Sequence, residues 1–369
     1  MKRFFAFLTV ILMVFLLSTT ASAEETDKIY SEMTEGIEDS IDSDISDELE
    51  NYDIDISNPE TLKELDTSDI FEKILSALTA NIGTAIKIIV KIILLIVLCS
   101  VVKNSIPDDN SVSDVFSFVT VVTVSTVIMS TLQDCISLSL NALNGMNVFM
   151  MSYVPVFTSI IVTSGHIISG NGYYAVMFTI CEVVSLISNT FIVPILSIVL
   201  CLSIVGAMNS DFPFHRTADG LKKLIQWVLG GIMTVVVAVL SIRSVIGNSV
   251  DNVATRSAKY VVSTFVPIVG GAVSEAYMTV RGSFGVIRSG IGAIGIIVLL
   301  FIIIPPIASI VVIRLAVKIC ELIADMFDEK SVCQLMSSVS SMLSICLSTV
   351  ICVAVMFILS TALLLMINT

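Results

Sequence analysis

Four acidic side chains lie inside long apolar stretches of this 369-residue sequence: Asp134, Glu182, Glu275 and Glu321. A carboxylate in hydrocarbon costs about 2.5–3.5 kcal/mol or more, so each must face protein or water. Two chemistries suit such groups. They can hold a proton or cation on a transport path, or they can hydrogen-bond serines and threonines inside a packed bundle. Glu182, in "FTICEVVSLIS", is the most deeply embedded, and Glu275 follows a run that spends a proline and two glycines. No P-loop, HExxH or GxSxG occurs. The two histidines, His166 and His215, stand near the ends of apolar stretches, and no His/Cys cluster has metal-ligand spacing. The sequence therefore predicts no catalytic residue, no cofactor and no metal. None of the eight cysteines forms a CxxC, and seven lie in or beside apolar segments, where a thiol acts as a small apolar filler.

Proline and glycine are the other marked residues. Pro155 in "SYVPV" and Pro267 in "TFVPI" each free the carbonyl four residues back, that of Met151 and that of Ser263. In a membrane such a group persists only where protein or water satisfies it. Two readings are open: broken or re-entrant segments lining a central path, or kinked helices packed in a protein-filled centre. Gly270 and Gly271 then allow close helix approach or a break in the backbone. Pro194 and the pair Pro305-Pro306 interrupt two long apolar runs, each a kinked helix or a tight helical hairpin. The glycines of "GSFGVIRSGIGAIGII" mark a helix-packing surface. The candidates for lining a path are thus Pro155, Pro194, Pro267, Gly270, Gly271 and Pro305, with Glu182 and Glu275 as the intramembrane acids.

The elements that must position these residues follow from composition. The chain is 55% hydrophobic and 14% charged, with a mean hydropathy of +0.97, which places it among all-α polytopic membrane proteins. Stretches near the 20 residues that a bilayer requires fall at 84–102, 115–136, 148–165, 173–189, 190–208, 224–246, 260–279, 284–304, 305–325 and 338–366. The expectation is about 8–10 transmembrane or re-entrant helices. Residues 1–23 read as a cleaved signal peptide: Lys2 and Arg3, an apolar core, then Ala21-Ser22-Ala23. Residues 24–80 are an acidic segment, 19 acids against three lysines, whereas the membrane domain 81–369 balances 13 acids with 14 bases. A chain of net charge −13 is not built to bind nucleic acid. With 24–80 placed extracytoplasmically by the signal peptide, nine Lys/Arg fall in inside loops and two, Arg256 and Lys259, outside.

An internal repeat is also legible. Tyr153-Val154-Pro155-Val156 aligns with Phe265-Val266-Pro267-Ile268 at an offset of 112, and Pro194 with Pro305 at 111. The inferred units are 115–215 and 224–330. Each holds an even number of spans, so the repeats are expected to be parallel.

The signal peptide, the acidic exported segment, "FVPIVGGA" at 265–272 and "GIGAIGIIVLLFIIIPP" together make the sequence resemble the stage III sporulation protein AE family. The first repeat departs from the motif, with no paired glycine after its proline. The resemblance implies an integral protein of the cell membrane, specifically the outer forespore membrane during engulfment. It implies a place in a transenvelope complex, with secretion-system-like features, that joins mother cell to forespore. Its implied partners are other stage III sporulation membrane proteins, a secretion-type ATPase complex and membrane lipid, and no enzyme activity is assigned to the family. The residues themselves leave open a second class, an autonomous secondary transporter built on the parallel repeat, for which Glu182 and Glu275 would be the coupling groups.

Overall fold

A computed structural model describes residues 67–104, 110–208, 214–265 and 270–365. The signal peptide, most of the acidic segment and Pro267 lie outside the described residues, as do the side chains around Gly270, Gly271 and Glu275. Every described element is a helix: α1 (Thr67–Asn104), α2 (Asn110–Thr163), α3 (Ile167–Leu186), a π-helical segment (Ile187–Ile192), α4 (Val193–Met208), α5 (Phe214–Phe265), α6 (Gly270–Met326) and α7 (Lys330–Leu365). Among the described residues six helices are long and apolar enough to cross a membrane, and the chain is an integral membrane protein.

Among the described residues six helices are candidate spans: two pairs of apolar stretches run together, 190–208 holds only the shorter helix α4, and 260–279 lies largely outside the described residues. Segments 115–136 and 148–165 share the single helix α2, straight through Pro155. Residues 284–304 and 305–325 share α6, through Pro305 and Pro306. The link "LNALNGMN" within α2 contains asparagines and one glycine, but each costs a helix interior at most about 1 kcal/mol, far less than the burial gained by continuing. At 1.5 Å per residue, the 57 residues of α6 make a rod of about 85 Å, against a hydrocarbon core of about 30 Å. The long run 173–208 stays helical but is interrupted at the π-helical segment Ile187–Ile192, which leads directly into α4 with Pro194 as its second residue. A π-helical turn beside a proline is a recognised way for a helix to change its bonding register.

Two hairpins are closed by the same backbone device. After α2, Gly165 takes φ 90°. Its N–H bonds the carbonyl of Val162 at 3.0 Å, and the N–H of His166 bonds that of Ile161 at 3.1 Å. After α6, Asp328 takes φ 52°, its N–H bonding Asp325 at 3.1 Å while the N–H of Glu329 bonds Ala324 at 3.0 Å. Both are left-handed C-terminal caps that satisfy the last carbonyls of one helix, and the next helix begins within two residues. The resulting bundle centres on α6, which packs most extensively on α7 and α1, with α2 against both α6 and α7.

Candidate functional site

The two motifs singled out by proline and by glycine meet at the centre of the bundle. Phe149, Tyr153 and Phe157 repeat every four residues on α2, so their rings stack with centroids 5.4 Å and 5.2 Å apart. Tyr173 of α3 closes the ladder edge-on at 5.9 Å. Tyr153 is fully buried, and its hydroxyl donates to the carbonyl of Ile291 in α6 at 3.3 Å. The ring lies directly against Gly295, where any Cβ would collide with it, and Gly292 faces Leu365 of α7 in the same way. The glycine run is therefore a docking groove for an aromatic side chain. Gly290, Gly292 and Gly295 have the spacing of a dinucleotide-binding loop, but they lie within a helix with no strand before it, so no phosphate-cradling turn exists.

A second node lies where α3 begins. Asp251 of α5 is 2% exposed. Its Oδ1 accepts the N–H of Ile168 at 3.0 Å and its Oδ2 that of Ser169 at 2.9 Å. An acid from another helix thus caps the N-terminus of α3, where free N–H groups and the helix dipole favour negative charge. His166, 1% exposed, stands with Nδ1 3.9 Å from the same carboxylate. Close approach is allowed by Gly247, one turn before Asp251, where a Cβ would come within 3.0 Å of the Cα of Ser169. Sequence reasoning read His166 as a loop histidine and did not include Asp251 among the embedded acids. The available signal was the i, i+4 pair of glycine and aspartate inside "GNSVDN", masked by the loop-like polarity of that stretch.

The predicted site residues that are described lie on four helices, α2, α3, α4 and α6. Pro155 is exposed on α2, Pro194 is exposed on α4, and Pro305 is half-buried within α6. Glu182 is exposed on the outer face of α3, and Asp134 is exposed on α2. Glu321 is half-buried and bonded to Lys318 at 2.8 Å. Gly270 and Gly271 form the first turn of α6.

Between α3 and α5 runs a groove of about 660 Å³. Thr179, Val183, Trp227, Gly231 and Val235 line it, Met356 of α7 forms its floor, and Arg243 is its one charged residue. Trp227, 80% exposed, and Arg243 bracket an apolar stretch of α5, the arrangement of membrane-interface anchors.

The family model for stage III sporulation protein AE matches residues 56–368. The chain belongs to the stage III sporulation protein AE family. The stage III sporulation protein AE of Bacillus subtilis (strain 168) is 22% identical over 218 residues, which is 58% of this chain and 55% of that protein. The alignment thus spans about half the length of that curated relative. No solved structure matches. Helices α1 to α7 all lie within the residues matched to the stage III sporulation protein AE family, so Tyr153, Gly295 and Asp251 belong to its domain.

Proposed function

We propose that the chain is the integral membrane core of a transenvelope assembly between mother cell and forespore, acting there as a conduit or scaffold. In this reading it resides in the outer forespore membrane, with residues 24–80 extracytoplasmic as an arm toward partners. Those partners are other stage III sporulation membrane proteins and a secretion-type ATPase complex. Lipid is a further partner, an acyl chain occupying the α3–α5 groove beneath an anionic headgroup at Arg243.

The observation that carries this reading over an autonomous transporter is the placement of the embedded acids. A coupled transporter needs a titratable group on a central path. Glu182 lies on the outer face of α3, and Asp251 is committed to two backbone N–H groups. The centre instead holds an aromatic ladder locked onto glycines.

The test is a count of heat-resistant spores together with membrane accumulation of the protein. Gly271→Leu is expected to abolish sporulation by displacing the start of α6. Glu182→Gln and Glu275→Gln, which keep shape and remove charge, are expected to sporulate normally. Failure of either glutamine variant with the protein still accumulating would favour the transporter.

A further inference from the structure

On one face of α2, every exposed side chain from Thr123 to Asn144 is polar. Thr123 and Thr126 begin the stripe, and each hydroxyl donates to the carbonyl four residues back, at 2.7 Å and 2.8 Å. Ser130, Gln133, Asp134, Ser137, Asn141 and Asn144 continue it at intervals of three and four residues apart from the adjacent pair Gln133-Asp134, so that at 100° per residue the stripe occupies about 100° of the helix surface. Its 21-residue rise is about 32 Å, close to the thickness of a hydrocarbon core. The stripe lies inside the candidate span Phe118–Thr163, a helix of 46 residues that at about 69 Å exceeds one hydrocarbon core, and it occupies mainly the N-terminal half of that helix. On the same face exposure turns apolar at Val119 before it and at Val148 after it.

Lipid cannot cover this face. The threonines satisfy themselves within the helix, but the amides of Gln133, Asn141 and Asn144 and the carboxylate of Asp134 point away from the protein, where hydrocarbon offers no partner. The lipid-facing surfaces of the chain look different. α1 exposes Ile86, Val90, Leu94 and Leu98, and α5 exposes Val235, Val239 and Ile242. No other described helix carries a polar stripe of this length, so one chain supplies one wall. Dry contact between two such stripes would bring one Asp134 carboxylate against another, which like-charge repulsion in a low dielectric disfavours unless one of them is protonated.

We propose that copies of this chain assemble with their α2 stripes facing inward around a water-filled passage that favours cations. Asp134 forms its charged ring, and Val119 and Val148 form apolar collars at its two ends. The inference rests on the conduit half of the proposed function and names the surface that forms the conduit.

The test uses the full chain reconstituted in phosphatidylcholine–phosphatidylglycerol vesicles. In a background with native cysteines replaced by serine, Ser137→Cys and Asn141→Cys are expected to form oxidative cross-links between copies, whereas Leu94→Cys and Val239→Cys are not. A cationic thiosulfonate reacting at Asn141→Cys is expected to reduce potassium flux several-fold. Asp134→Asn, made with the native cysteines in place, is expected to lower potassium-over-chloride selectivity several-fold. Absence of stripe cross-links, or equal cross-linking at the lipid-facing positions, overturns the assembly. Cross-links without potassium flux overturn the passage. Neither result bears on membership in a sporulation complex, which spore counts and partner association decide separately.

Discussion

Helices α5 and α6 are nearly equal in length, 52 and 57 residues, and the pair Gly230 and Gly231 of one stands in surroundings opposite to those of Gly292 and Gly295 of the other, although Gly247 of α5 is itself a close contact with Ser169. The apolar window of α6 is 56% buried and that of α5 is 17%. In α6, a Cβ at Gly292 or Gly295 would collide with Leu365 or Tyr153, whereas at Gly230 and Gly231 of α5 it would meet nothing within 4 Å. The same residue type is a packing requirement in the centre and open space at the periphery. Helical glycine alone therefore does not mark a functional surface; the neighbour that fills the missing side chain does.

Substitutions can break or sharpen that contrast. The largest effect is expected from Gly295→Leu, which drives a branched side chain into the Tyr153 ring. Overpacking of this kind costs about 1–3 kcal/mol where the core can adjust, and two abutting helices here cannot. Loss of membrane accumulation by immunoblot is the expected outcome, and a stable, wild-type-like variant would remove the claim that α2 and α6 dock there. Next comes Asp251→Ala, which leaves the buried N–H of Ser169 and the part-buried N–H of Ile168 without their acceptor, a loss of about 1–3 kcal/mol for the buried group and less for the other. A lower midpoint of thermal unfolding in detergent would register it, and Asp251→Asn should recover part of the loss through its one carbonyl oxygen. Tyr153→Phe keeps the ring ladder and removes one hydrogen bond, for about 0.5–1.5 kcal/mol in the same assay. Smallest is Gly231→Ala in α5. With open space around it, the change should be neutral or stabilising by up to about 1 kcal/mol, since alanine is the better helix former. Destabilisation there would mean that the α3–α5 groove is filled in the membrane.

The two hairpin turns extend the comparison. Both close with the same backbone bonds, yet the turn at Gly165 is tied to Asp251 of a distant helix. In the second turn Asp328 itself is at the surface, with Lys330 at 3.7 Å from its carboxylate. Each turn nevertheless sends one side chain inward, His166 in the first and Glu329 in the second.

Composition made the all-helical membrane class legible, and the family followed from the segment ending in Ala272. Helix boundaries were not legible. Proline at Pro155 and Pro305 reads locally as a break, but packing against neighbouring helices carried both helices through it. The Tyr153–Gly295 contact joined two motifs that had each been noticed separately, because a sequence shows that a glycine run will be approached closely without showing by what. Asp251 was missed for the opposite reason. Its polar surroundings read as loop, and only the fold reveals that they cap a helix 83 residues away in sequence.

Helix α1 begins at Thr67, well inside the acidic segment, and is unbroken to Asn104. Its Lys73 is buried with its ammonium 3.8 Å from the centre of the Phe301 ring, one turn of α6 before Pro305 and Pro306. The first turns of α1 are thus tied to the central helix beside two successive prolines, which leave the carbonyls of Phe301 and Ile302 without their helical donors. The contact couples the start of α1 to the packing of α6 at that point, so that loss of the Lys73 ammonium is felt in both helices.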